Sequence, residues 1–386
     1  MRKERTIAIK PEDLLNEVLS GRELTAAEAG FLLQLSREDD LHPLRQAANT
    51  IRQRQVGDSV FYSSGMSLYL TNCCELMPAL YHYPRVFGDP GCYIATIDHI
   101  DELLEQARRI DFQQFYLSGG GYYSSLNIPG LEAPTVLKTY TKVFSYVKAR
   151  LPFAEISAFS PDEIDFLSIV TDKAPAYLLE LFQDLGMQGL GSHGSEILVN
   201  SVRQKISPKK ATVKRWFEIV FTACRLGLRM PASLEAGPLE TLPQRVTHLE
   251  RLRRFSQANL QQFGSVFPEF RPRMWTELPA ALSDESNTQP HVRHTDRLKL
   301  TAVMRLFLGE SIPHQQVFWQ PKGEREAQEA LEWGANGLGS TDAFSYQAFL
   351  SDVPLSTFQD YHLGDFKSLI EETGRLPVLS SDSGKF

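Results

Sequence analysis

The residues best equipped for chemistry in this chain stand at the ends of short apolar runs. After MSLYL (66–70) come Thr71-Asn72-Cys73-Cys74-Glu75 and then Pro78, Tyr81, His82 and Tyr83. Thiolate and imidazole both suit zinc or a mononuclear iron, so Cys73 or Cys74 with His82 is one conceivable metal site. No Cys-x-x-Cys or His-x-x-x-His pairing supports it. Three carboxylates, Glu163, Glu196 and Glu240, follow other such runs and offer acid–base chemistry. Phe159-Ser160-Pro161-Asp162-Glu163 reads equally well as a serine N-cap with proline at the first helical position. Leu190-Gly191-Ser192-His193-Gly194 lacks the first glycine of a nucleophile elbow. Ser118-Gly119-Gly120-Gly121 is too short for a Walker loop, and no Gly-Lys-Ser/Thr follows it.

A scaffold that gathers strand ends is needed to bring such residues together. MSLYL (66–70), FYLSG (115–119), AEISAF (154–159), GLGSHG (189–194), PASLEAG (231–237), FGSVF (263–267) and QQVFW (315–319) suit buried parallel strands. Helical patterns at 98–110, 134–150, 161–186, 211–227, 241–261, 295–309 and 323–334 alternate with them, and a short further strand fits near Asn336–Gly339. The alternation predicts an α/β fold, a TIM-type (β/α) barrel, with a doubly wound open sheet as the competitor. In a barrel the strand ends at Thr71–Cys74, Ser118–Gly121, Phe159–Glu163, Ser192–Glu196, Gly237–Glu240, Pro268–Arg271 and Trp319–Gly323 ring one mouth. Residues 1–60 read as an N-terminal helical preface, with Leu14, Leu15, Val18 and Leu19 on one face and a capping box at Thr25-Ala-Ala-Glu28. The barrel takes 61–345, and 346–386 is a C-terminal helical extension, with a helix near Asp365–Gly374 and a loose tail. Arg271–Asn287 reads as loop.

Composition narrows the function classes. Lys+Arg at 40 against Asp+Glu at 47, a net charge of −7, leaves no broad basic surface for nucleic acid. Neither a signal-peptide core nor a stretch of 18 apolar residues is present, so a cytoplasmic protein without membrane contact is expected. Four cysteines fit a reducing compartment, with Cys73 and Cys224 as small buried hydrophobes. Arg245, His248, Arg251, Arg253 and Arg254 read as the solvated face of a helix, and His291 and His294 as exposed loop residues.

The segment from Thr71 to Tyr83 resembles radical S-adenosylmethionine (SAM) enzymes that make menaquinone by the futalosine route and the deazaflavin coenzyme precursor. There the first strand ends in Thr-Asn-x-Cys-x-x-x-Cys-x-Phe-Cys-x-Phe, whose three thiolates hold a 4Fe–4S cluster. The pattern places Cys74 at the first cysteine, Pro78 at the second and Tyr81 at the third. The resemblance spans about residues 20–380. It implies that Ser118, Gly119 and Gly120 approach the SAM amino group, and that Asn72, Ser160, Ser192, His193, Trp319 and Asn336 face a substrate pocket. Its most specific stretch is Gly191-Ser192-His193-Gly194-Ser195-Glu196-Ile197-Leu198 with Val202-Arg203-Gln204-Lys205-Ile206-Ser207-Pro208-Lys209-Lys210, similar to Gly-Gly-Ala-Glu-Ile-Leu and a downstream Val-Arg-x-x-Ile-x-Pro-x-Lys. Gly237-Pro238-Leu239-Glu240-Thr241 resembles Gly-His-x-Glu-Thr, with Pro238 in place of His. The wording of Phe-Ser-Pro, Ile-Ser-Pro and Gly334-Ala335-Asn336-Gly337 favours the dehypoxanthine futalosine cyclase branch or the deazaflavin synthase subunit.

A site-differentiated cluster takes three protein thiolates; proline has no ligand atom, and tyrosinate is a poor substitute. Cys74 is therefore read as a remnant of the metal motif. SAM stays a candidate cofactor while the 4Fe–4S cluster does not fit the sequence. Three functions follow: a pseudoenzyme or metabolite-binding barrel, an enzyme using cluster-free acid–base chemistry, or a radical enzyme with an unconventional or partner-completed cluster. The expected partner is a nucleoside-like or aromatic metabolite, with an intact paralogue as a further candidate.

Overall fold

The computed structural model describes residues 10–79, 81, 83–109, 114–118, 121–191, 195–237, 239–274, 282, 293–318, 323–340 and 363–380. Three helices open the chain: α1 (Pro11–Leu19), α2 (Ala26–Leu33) and α3 (Glu38–Val56). The capping box at α2 is formed, Thr25 accepting from the Glu28 N–H while Glu28 reaches back. Strand β1 (Ser59–Ser63) then runs through Ser64 into β2 (Gly65–Tyr69).

Beyond β2 the alternation holds. Helix α4 (Ile97–Arg109) leads to β3 (Gln114–Ser118), α5 (Val136–Arg150) to β4 (Glu155–Ala158), and α6 (Pro161–Thr171) with α7 (Pro175–Asp184) to β5 (Met187–Gly189). Next come α8 (Asn200–Ile206), α9 (Val213–Arg225), β6 (Ala232–Ala236), α10 (Leu242–Phe263), β7 (Glu269–Met274) and α11 (His294–Leu308). The described chain ends with β8 (His314–Gln315), α12 (Glu324–Glu332), β9 (Gly337–Ser340), α13 (Leu363–Glu371) and β10 (Leu376–Leu379).

Strand pairing closes the barrel. β2, β3, β4 and β5 pair in order, and β6, β7 and β8 likewise. Parallel bridges Gly189↔Arg229 and Gln316↔Gly337 join β5 to the entry of β6 and β8 to β9. β9 pairs with β1, whose continuation is β2, and β10 pairs with β1 in parallel. Helices cover the outside: α2 packs on α10 and α11, and α3 on α11. Behind β4, Phe159 lies 4.4 Å from Phe182 and 4.9 Å from Tyr140, centroid to centroid. Such edge-on and tilted aromatic contacts add to the hydrophobic burial of three rings.

Several expectations change. Residues 263–267 are not a strand: Gly264, at φ +70°, caps α10, and Val266 and Phe267 plug the core ahead of β7. β7 instead occupies the start of the stretch read as loop. Its inward residues Glu269, Arg271 and Arg273 are polar, which hides a strand from hydrophobic pattern reading. Accordingly Pro268–Arg271 begins this strand instead of ending one at the mouth. The 161–186 pattern is two helices, broken where Asp172 turns left-handed and Pro175 starts anew. β1 begins at Ser59, within the stretch assigned to the helical preface, and β10 adds a strand to the C-terminal extension.

The arginine-rich face of α10 is largely buried. Arg245 bonds Glu240, Arg253 donates to the Leu24 and Phe307 carbonyls, and only Arg254, with its side chain 73% exposed, is well solvated. Packing of α2 and α11 against this helix is the reason. His248 is fully buried, its Nδ1 accepting from the Leu198 N–H, and burial pushes it down to about 3. His294 is half-buried beside Glu329 at 2.7 Å, and His291 lies outside the described residues. Cys73 is buried but bonded to Cys92, because the chain after Arg85 returns along the strand end and brings the two Cα atoms within 6.0 Å. Cys224 is a buried free thiol. Among the described residues no helix is long and apolar enough to cross a membrane.

Candidate functional site

The barrel interior is unusual in being polar. Ordinary (β/α) barrels fill it with Val, Ile and Leu. Here the inward positions of β6 are Ser233 and Glu235, those of β4 Glu155 and Ser157, and those of β9 Gly337 and Gly339. They surround a cavity of about 210 Å³. Gly191 packs closely beside it, and a Cβ there would push the outer edge and hydroxyl of the Tyr116 ring aside. At one end Arg271 pairs with Glu269 at 2.9 Å.

A second polar assembly lies where the chain leaves the ends of β4, β5 and β6. Arg203, on α8, grips Asp162 with two hydrogen bonds of 2.8 and 2.9 Å and reaches Glu196 at 3.3 Å. Lys210 bonds the other Glu196 oxygen and lies 4.0 Å from Asp162. All four side chains are almost fully buried. Burial raises Glu196, but Lys210 and Arg203 together outweigh it and hold the carboxyl below its usual value. Lys210 is itself pushed down by burial and pulled back above its ordinary value by Glu196 and Asp162. Two cations against two carboxylates make a balanced buried unit.

Glu163 and Tyr81 complete it. Ser160 and Glu163 form a capping box on α6, Ser160 N–H donating to the Glu163 carboxyl at 2.7 Å. Burial lifts Glu163 to about 7, against the Ser160 hydrogen bonds and the pull of Lys210. The Tyr122 hydroxyl is 3.1 Å from Ser160 Oγ, and Lys210 Nζ sits 5.5 Å from the ring centroids of both Tyr122 and Tyr81. The Tyr81 hydroxyl is 3.0 Å from Glu196 Oε1 and 3.0 Å from Glu235 Oε2. Phe159 and Glu196 hold left-handed backbone at φ 58° and 23°, a strain that clusters where side chains must be aimed.

The other sequence-chosen residues divide. Glu240 caps the Gly237 N–H and pairs with Arg245, apart from the Lys210 unit. Asn72 clamps the returning loop, its Nδ2 donating to Gly91 O and its Oδ1 accepting from Tyr93 N, both at 2.9 Å. Asn336 is fully buried and serves Arg305 and the Gln315 N–H. Ser118 ends β3. His82, Gly119, Gly120, Ser192, His193, Pro238 and Trp319 lie outside the described residues. Asp162, Arg203, Lys210, Tyr81 and Glu235 were absent from the sequence-derived site. For Arg203 and Lys210 the fixed spacing Val-Arg-x-x-Ile-x-Pro-x-Lys was a usable signal, whereas a lone Glu235 in an apolar strand carried none.

The donors for a metal cluster do not fit. Cys74 is a single buried thiol, raised above its ordinary value by burial although the Met77 and Leu76 N–H groups and Lys210 favour the thiolate. Pro78 offers nothing, Tyr81 is engaged with two carboxyls, and Cys73 is bonded to Cys92. Among the described residues no group of three His, Cys, Asp or Glu side chains could hold a metal ion.

This closed parallel barrel is of the radical SAM type. It matches the structure of methylornithine synthase with a TM-score of 0.65 at 17% identity, covering 95% of this chain and 97% of that one. The maturase HydG of [FeFe]-hydrogenase matches with a TM-score of 0.67 at 13% identity over 95% of this chain and 75% of that one. Sequence comparison is more specific. The chain is 33% identical over 332 residues to the 5-amino-6-(D-ribitylamino)uracil–L-tyrosine 4-hydroxyphenyl transferase of Cyanothece sp., covering 85% of each. It is 31% identical over 333 residues to that of Microcystis aeruginosa, covering 85% of this chain and 86% of that one. The chain therefore belongs to this transferase family, on the deazaflavin side of the radical SAM group. No family model matches it.

Proposed function

We propose that this chain is a cluster-free member of the transferase family, which binds a nucleoside-like or aromatic metabolite in the barrel cavity without reductive cleavage of SAM. The observation that carries the reading is Tyr81. It stands at the third cysteine of the motif, and its hydroxyl is spent on Glu196 and Glu235. With Cys74 as the one free thiol of the loop, and Cys73 bonded to Cys92, the reading leaves too few thiolates for a site-differentiated cluster. The ligands to try first are those in the relatives' name, 5-amino-6-(D-ribitylamino)uracil and L-tyrosine, with SAM as a third. An intact paralogue is the partner that would supply radical chemistry if the chain serves a larger assembly.

Iron and acid-labile sulfide per chain, after anaerobic reconstitution, test the reading, with Cys74→Ala as control. Near zero in both supports it. About four irons in the wild type, lost in Cys74→Ala, overturns it. A rise in melting temperature with one of the three ligands identifies the bound molecule, since binding to the native state alone stabilises it.

A further inference from the structure

One hydroxyl hydrogen cannot serve two carboxylates. Tyr81 Oη lies 3.0 Å from Glu196 Oε1 and 3.0 Å from Glu235 Oε2, in a buried place. Two hydrogen bonds among three oxygens need two hydrogens, so one carboxyl must bring its own. Glu196 is the poor choice, because Lys210 and Arg203 both bond it. Glu235 is the better one. Its neighbours are Arg273 on β7, Glu196 beyond Tyr81, and Lys210. Burial raises its carboxyl above the ordinary value against the pull of Arg273, with the Glu196 charge adding to the rise.

Glu235 also lines the cavity, and Ser340, whose Oγ is buried and has no hydrogen-bond partner among the described residues, lines the same space. A buried hydroxyl without a partner loses hydrogen-bonding energy that a bound polar molecule would restore. We propose that Glu235 is the acid–base group of a ligand site in the barrel cavity, that Tyr81 accommodates both of its protonation states, and that the ligand is a small polar molecule of no net charge that exchanges one proton there. When Glu235 is protonated its O–H donates to Tyr81, and Tyr81 donates to Glu196. When the proton has passed to the ligand, Tyr81 turns its hydrogen to Glu235, while Lys210 and Arg203 keep Glu196 satisfied. The proton returns by the reverse step, so nothing is oxidised or reduced. The arginines of the cavity wall argue for a ligand without net charge: Arg271 pairs with Glu269, Arg229 donates to the Phe263 carbonyl and Arg273 acts on Glu235, so an added anion would have to compete for cations already engaged.

The inference rests on the cluster-free reading in one respect: residue 81 must be available as a hydroxyl and not displaced by iron. Infrared difference spectra of the full chain at pH 7 test it, comparing wild type with Glu235→Gln and Tyr81→Phe. The expected result is a protonated-carboxyl C=O band present in wild type, lost in Glu235→Gln and displaced in Tyr81→Phe. Glu163 supplies a second such band that all three proteins share. A Glu235→Gln spectrum identical to wild type overturns the protonated Glu235. An undisplaced band in Tyr81→Phe overturns the role of Tyr81, and this variant decides alone if Glu235→Gln does not fold. Infrared difference spectra on adding 5-amino-6-(D-ribitylamino)uracil then read the transfer, which stays inside the complex. Loss of the Glu235 carboxyl band as carboxylate bands appear is expected in wild type, with no such change in Glu235→Gln; a wild-type band untouched by the bound molecule overturns the assignment. About four irons per chain, lost in Cys74→Ala, would sink the cluster-free reading by itself, whatever the infrared result.

Discussion

Two neighbouring parts of the barrel mouth have opposite characters. Around β4, β5 and β6, Asp162, Glu196, Arg203 and Lys210 form a mutually dependent ionic unit in which every charge has a partner. After β2, the loop from Thr71 to Tyr93 carries Pro78 and Tyr81 where the motif it resembles has its second and third cysteines, and is held by a disulfide, a clamping asparagine and short bridges to its own return. The ionic unit cannot change one member at a time, because the remaining buried charge would be stranded. The loop can, because its fasteners act separately. That difference means the loop can vary residue by residue while the charged wall beside it stands, and each test below strains one side of it.

The ionic side should give the largest effect. Arg203→Ala leaves Asp162 and Glu196 facing each other with only Lys210 between them, and the expected loss is about 3–5 kcal/mol of unfolding free energy. Urea unfolding checks it; a loss under about 1 kcal/mol would show that water enters and screens the unit. The loop side should respond next. The Cys73–Cys92 bond closes a loop with a sequence separation of 19, and removing such a crosslink costs about 3 kcal/mol. Dithiothreitol should lower the melting temperature of wild type and leave Cys92→Ser unmoved. An equal response in both would mean that the bond is absent in solution.

Much of this was legible beforehand, for stateable reasons. The parallel barrel followed from alternation, and the capping boxes at Thr25 and Ser160 from local side chain to backbone chemistry, which needs no distant partner. Glu163 and Glu196 were marked as carboxylates at strand ends, and the structure brings both to Lys210. What stayed hidden depends on pairing across the chain. Tyr81 and Glu235 meet over a separation of 154 residues, and neither has a local pattern that announces the other. Polar inward positions disguised β7 as loop, and burial of Arg245, His248 and Arg253 depended on which helices cover α10. A hydrophobicity pattern shows which face is apolar, but not which polar face is buried with partners.

Acid–base behaviour separates the two sides without removing a partner. Glu163 is fully buried and raised to about 7, above the unfolded value of 4.5. The native state thus holds this proton more tightly than the unfolded chain, so its contribution is fully present below pH 4.5 and is lost as pH rises through about 7. At 1.36 kcal/mol per pKa unit, wild type should lose about 2–4 kcal/mol relative to Glu163→Gln across that window. Glutamine at this position keeps the capping box, so the two curves differ through ionisation alone. Parallel stability curves between pH 4.5 and 8 would mean that Glu163 is ionised throughout.

The smallest expected effect falls on the loop, at Asn72. Its amide spans the return of the chain, donating to Gly91 O and accepting from Tyr93 N, while Thr71 pairs with Ile94 alongside. Asn72→Ala deletes both bonds. The Gly91 carbonyl stays near solvent, since Gly91 is exposed, so the loss should be about 1–2 kcal/mol and not the full cost of two stranded groups. Because the disulfide fastens the same return, the two losses should not add: in the Cys92→Ser background the Asn72→Ala change should cost more than in wild type, the coupling expected of contacts that share one segment. Strict additivity in that double-mutant cycle would show that the asparagine and the disulfide hold different parts of the loop, and the picture of separable fasteners would then extend to single residues.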